Sequence, residues 1–166
     1  MRRPTVVMDL RDPFEIVHSD GAGLFNQWPV LNNIKGITSK NSEGITALAS
    51  AFGVLVVFTR TGVWFVSGTK GNFTVNHVTE NAGCVGPLAW CEAKGKLHYL
   101  SDDGIWSLSA NGSVKKISEW VDGKGRVHGV RGSLARLNRT RLSGVVAHHD
   151  EAGKCLHFFV PLDQDE

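Results

Sequence analysis

Apolar residues along this chain fall into short runs broken by glycine, the pattern of brief strands joined by tight turns. Val54 to Thr59 and Val63 to Ser67 are β-branched and aromatic runs separated by Arg60-Thr61-Gly62. Lys96 to Ser101 and Ile105 to Ser109 repeat the arrangement around Asp102-Asp103-Gly104. Each pair of runs predicts a hairpin with a three-residue loop closing on a glycine at positive φ, a conformation that penalises any side chain. Asn111-Gly112 marks a further turn into Val114-Lys115-Lys116-Ile117, polar enough to serve as an outer, edge strand.

These runs belong to an internal repeat. The stretch from Ala47-Leu48 through Gly53 to Gly62-Val63-Trp64 recurs as Ala89-Trp90, Gly95 and Gly104-Ile105-Trp106, every pair separated by 42 positions. That spacing matches one four-stranded blade of a β-propeller, about 40 to 50 residues. Apolar inner strands followed by a more polar outer one fit sheets that pack face to face around an axis. A weaker unit follows at Val145 to Pro161, where Leu156-His157-Phe158 echoes Leu97-His98-Tyr99, and a partial unit holding the strand Phe14 to Ser19 precedes the first. The expected fold is all-β, a propeller or partial propeller of three to four antiparallel blades in one domain. Its units are 14–44 (partial), 45–86, 87–122 and 142–166 (partial), with an insertion at 123–141. Closed propellers use four to eight blades, so the chain closes with a partner copy or in a larger ring, or is a piece of something longer.

Composition narrows the picture. With 166 residues, 42% hydrophobic and 20% charged, the chain is sized and composed for one globular domain. Nineteen glycines suit many turns. A net charge of +2 is too small for a global argument about nucleic acid or membrane binding. Three cysteines, Cys84, Cys91 and Cys155, form no C-x-x-C pair, so neither a disulfide framework nor a zinc site is expected. The amino terminus is interrupted by Asp9, Arg11 and Asp12 before any signal-like apolar stretch, and no window approaches the ~18 apolar residues of a membrane span. The expectation is a soluble chain without a signal peptide.

The same residues resemble the β-propeller tail proteins of tailed bacteriophages, including the tubular or nozzle proteins of short-tailed phages. The resemblance is carried by Ser19 with Phe25-Asn26-Gln27-Trp28-Pro29, by Ile45-Thr46-Ala47-Leu48 followed by Leu55 to Phe58, and by Gly62-Val63-Trp64 with Ser67-Gly68. The junction Gly83-Cys84-Val85-Gly86 and the run Leu97 to Trp106 complete it. It covers residues 14 to 161, although members of that family are several times longer. It implies a virion structural protein of a tail or head-to-tail assembly, made in the bacterial host cytoplasm. Its partners would be other tail proteins or further copies of itself, with no catalytic residue and no cofactor.

Candidate chemistry is sparse. Ser101 to Trp106 resembles the aspartate box of sialidase-type propellers, which keeps a carbohydrate-active or lectin-like module as the alternative function. A sialidase, however, would need an arginine triad and a nucleophilic tyrosine, and Tyr99 is the one tyrosine, set in an apolar strand. His148-His149-Asp150-Glu151 has metal-ligand chemistry, but neighbours on a strand point to opposite faces, so no metal site is expected. The insertion carries Lys124, Arg126, Arg131, Arg136, Arg139 and Arg141 without an acidic residue, and reads as a long, mobile loop that meets an acidic partner protein or stays solvated. Nucleic acid is less favoured, because interleaved aromatics are missing. Trp64 and Trp106, as repeat equivalents, are expected in the core.

Overall fold

The computed structural model describes residues 6–8, 16–18, 33–34, 37, 44–69, 72–121, 124, 127–130, 134 and 136–162. The chain is all-β, with antiparallel sheets. The strands β1 (Val6–Met8), β2 (Ile16–His18) and β3 (Asn33–Ile34) form the first sheet. β4 (Ile45–Ala51), β5 (Val54–Thr59), β6 (Val63–Thr69) and β7 (Asn72–Thr79) form a four-stranded meander. β8 (Trp90–Ala93), β9 (Lys96–Ser101), β10 (Gly104–Leu108) and β11 (Val114–Lys116) form a second. β12 (Glu119–Val121) pairs with β13 (Val127–Gly129), and β14 (Val146–Asp150) with β15 (Cys155–Phe159). Among the described residues, no helix is long and apolar enough to cross a membrane.

The two meanders share one register. Leu48 stands opposite Val57 and Val57 opposite Trp64 in the first; Trp90, Tyr99 and Trp106 repeat those pairings 42 positions on. The turns repeat too, because Phe52-Gly53 and Lys94-Gly95 all have positive φ, between 52° and 78°. Two consecutive left-handed residues make the two-residue turn whose twist matches that of the flanking strands.

The β5–β6 and β9–β10 connections differ from the sequence expectation. Each is a two-residue turn, Arg60-Thr61 and Asp102-Asp103: Gly104 begins β10 and pairs with Ser101, and Thr59 donates to the carbonyl of Gly62, the residue before β6, at 3.0 Å. Gly104 has a φ of +156°, whereas Gly62 is not in the positive region. What Gly62 requires is space, since a Cβ there would lie 2.8 Å from Trp64 Cζ3 and closer still to Cη2.

Strand alternation gives each meander two apolar faces. On the first, Ala47, Ala49, Val56, Phe58 and Val63 face the second meander, while Val57, Trp64 and Val66 form a separate cluster on the opposite side with Ile37. The second meander answers with Leu97 and Tyr99, and the Phe58 and Tyr99 rings meet at 5.0 Å between centroids. Tyr99 is the repeat equivalent of Val57. Hence the face that points away from the contact on one sheet is, on the next, the face that makes it. The stacking is head to tail.

The third unit continues the series. Ala147 opposite Phe158 and His149 opposite Leu156 reproduce Trp90 opposite Tyr99 and Glu92 opposite Leu97, and Phe158 packs on the same core. β14 lies beside the start of β8 through a parallel bridge between Leu88 and Val146, with the Ala147 amide donating to the Leu88 carbonyl at 2.8 Å.

Candidate functional site

Two junctions hold the sheets in place. Gly83 approaches the Thr59-Arg60 backbone, and Gly86 approaches Leu142 and Ser143, so closely that a Cβ would collide at Gly83 and crowd at Gly86. Between them Cys84 is fully buried, and burial pushes its thiol up to about 12, which leaves it protonated and unreactive at neutral pH. Thr46 spans the joint by donating to the Cys84 carbonyl at 2.6 Å.

At the rim, Arg60 makes a two-pronged ion pair with Asp102, Nε to Oδ2 and an Nη to Oδ1, both 2.8 Å. The two residues occupy equivalent positions in consecutive repeats, 42 apart. Opposite charges at one repeat position therefore tie each turn to its counterpart. Around the second turn, Lys116 bridges Asp103 at 3.4 Å and Glu119 at 3.0 Å.

The aromatic positions are not alike. Trp64 is buried, with 4% exposure, as expected. Trp106 is half-buried: it lies at the margin of the main core and its indole N–H donates to Asp103 Oδ1 at 2.8 Å. The Asp103-Gly104-Ile105-Trp106 motif thus closes its own turn. Trp90 donates similarly to the Pro87 carbonyl at 3.1 Å. Tyr99 is fully buried and its hydroxyl donates to the Ala82 carbonyl at 2.9 Å, so it is not placed to attack a substrate.

Parts of the segment 123–141 are tied to the rest of the structure. It contains β13, it buries Leu137, and Leu134 packs against the main core. The missed signal lies in those leucines, whose tertiary partners outweigh the surrounding glycine and arginine. Lys124, Arg136, Arg139 and Arg141 are exposed, and Arg126 and Arg131 lie outside the described residues. Of the described four, Arg141 reaches a concave surface, an open groove of about 600 Å³ shared with Gly144, Phe158, Phe159, Val160 and Pro161.

On the β14–β15 sheet His148 and His149 occupy opposite faces, paired with His157 and Leu156 respectively. Among the described residues no group of three or more His, Cys, Asp or Glu side chains could hold a metal ion. The outward face presents Val146, His148, Cys155, His157 and Phe159, with Phe159 62% exposed and stacked on His157 at 6.3 Å. In the two meanders the equivalent face is covered by the next sheet. On β14–β15 this face stays exposed among the described residues. No family model matches the sequence, and no curated protein matches it.

Proposed function

We propose that this chain is a propeller-type repeat protein that acts by binding other proteins, and that its setting is the tail or head-to-tail assembly of a bacteriophage virion. The phage setting rests on the sequence resemblance. The binding role is supported by one observation: three repeat units stack in series, and among the described residues the last leaves Val146 and Phe159 exposed beside His148 and His157. A stack whose interface is not self-complementary closes into a ring or continues with further subunits. Exposed Phe159 and Val146 are the groups such contacts cover.

Light scattering of the purified chain tests this reading. Association that grows with concentration and survives ~0.5 M salt is expected, because screening weakens surface charge pairs and leaves apolar burial intact. Phe159→Glu should shift the population toward monomer. A well-folded monomer at every concentration and salt would refute the proposal.

A further inference from the structure

His148 and His149, adjacent in sequence, cannot share an ion, because they lie on opposite faces of β14. The sheet supplies a different pair. His148 stands directly opposite His157 on β15, so both rings project from one face, and both are exposed. Directly opposed residues have Cβ atoms about 4.5–5.5 Å apart, a span that two imidazoles bridge when one nitrogen of each lies about 2.0–2.1 Å from a common ion. The ring of His157 is stacked on Phe159 at 6.3 Å between centroids. Asp150 comes next on the same face, and the Gly153 amide donates to its Oδ1 at 3.0 Å. That bond first, then the Ala152 amide and the charges of His157 and His148, hold its carboxyl below the usual range against some desolvation. A negative charge therefore stands beside both rings. The fold does not require such chemistry at this place, since the equivalent cross-strand pair is Ala49 with Val56 in the first meander and Cys91 with His98 in the second.

We infer that His148 and His157 together chelate one first-row divalent cation of the zinc, nickel or copper class on the outward face of the β14–β15 sheet. Imidazole suits these ions, whereas magnesium and calcium take oxygen ligands. Among the described residues no third His, Cys, Asp or Glu completes a larger set, so water fills the remaining positions and the site is a two-point chelate. The inference is independent of the binding role proposed above.

The test titrates Zn2+ alone onto the metal-free full chain by isothermal calorimetry, with thermal melts alongside. One saturable equivalent is expected. Zinc at about a hundredfold excess over its dissociation constant should raise the melting temperature, because the ion ties together two strands that part on unfolding. His148→Asn and His157→Asn should each weaken binding by at least about tenfold, with the metal-free melting temperature unchanged because both side chains are exposed. His149→Asn, on the opposite face, should leave the affinity unchanged. So should Cys155→Ser, since that thiol donates to the Gly153 carbonyl at 3.1 Å. In the unaltered chain, a readout that needs no variant, zinc should shift the ring resonances of His148 and His157. Absence of saturable binding, full affinity in either the His148 or the His157 variant, loss of binding in Cys155→Ser, or shifts confined to other histidines would each overturn the inference.

Discussion

Gly62 and Gly104 hold the same position in consecutive repeats, yet the structure gives them different reasons to be glycine, and a mutant cycle separates the two. At Gly62 the backbone is ordinary and the obstacle is the Trp64 ring, whose Cζ3 would lie 2.8 Å from an added Cβ, with the Thr79 carbonyl next at 3.2 Å. Overpacking of this kind costs about 1–3 kcal/mol, and the reduced freedom of the unfolded chain on Gly→Ala returns about 0.4–1 kcal/mol. Gly62→Ala should therefore destabilise by about 1–2 kcal/mol. Trp64→Leu removes both offending ring atoms, itself costing about 2–4 kcal/mol for the lost buried area. In that background Gly62→Ala should fall to within about 0.5 kcal/mol of neutral, a coupling of about 1–2 kcal/mol. Urea melts followed by far-ultraviolet circular dichroism give all four stabilities without relying on tryptophan emission. At Gly104 the φ of +156° is itself unfavourable for a side chain, so Gly104→Ala should keep its cost when Lys116 is cut to alanine. Equal costs of Gly62→Ala with and without the Trp64 ring would refute the steric account.

Two further outcomes follow from the same geometry. In a double-mutant cycle, Arg60→Ala and Asp102→Ala should couple by about 1 kcal/mol, above a typical surface pair because the contact is two-pronged and both side chains are about a third exposed. Coupling indistinguishable from zero in urea melts would detach the two turns. Burial lowers the His98 pKa below its ordinary 6.5, with the charges of Lys96 and His149 acting in the same direction and a backbone hydrogen bond at Ala93 opposing. The unfolded chain then binds that proton more readily, so stability should drop as pH falls from 6.5 toward the folded value and level off below it. His98→Val, which installs the residue found at the equivalent Val56, should flatten this slope; identical slopes in melts between about pH 5 and 8 would contradict it.

The meanders were legible because their inner strands are short, apolar runs separated by glycine-containing turns, so the repeat could be read directly. The register followed from the 42-residue spacing alone. Side-chain roles were less legible, since a repeat fixes backbone position and not environment. Trp64 and Trp106 share a position, but the first packs into a cluster with Ile37, and the second lies at the margin of the main core, its indole bonded to Asp103. The Arg60–Asp102 pair was available in the sequence as opposite charges one period apart, a signal that reading each repeat by itself does not reveal.

The insertion shows how far composition can mislead. Between β11 and β14 the chain spends residues that the first two units do not have, rich in glycine and arginine and without hydrophobic period. Its buried side chain, Leu137, nevertheless joins the same core as Leu142 and Val145, and the Asn138 amide donates to the Pro161 carbonyl at 2.9 Å. Leu137 also bridges Leu162. Those contacts pin the residues that immediately follow β15, where the equivalent unit makes its Asp102-Asp103 turn toward β10. The insertion thus supplies apolar side chains to the main core and holds the backbone that immediately follows β15.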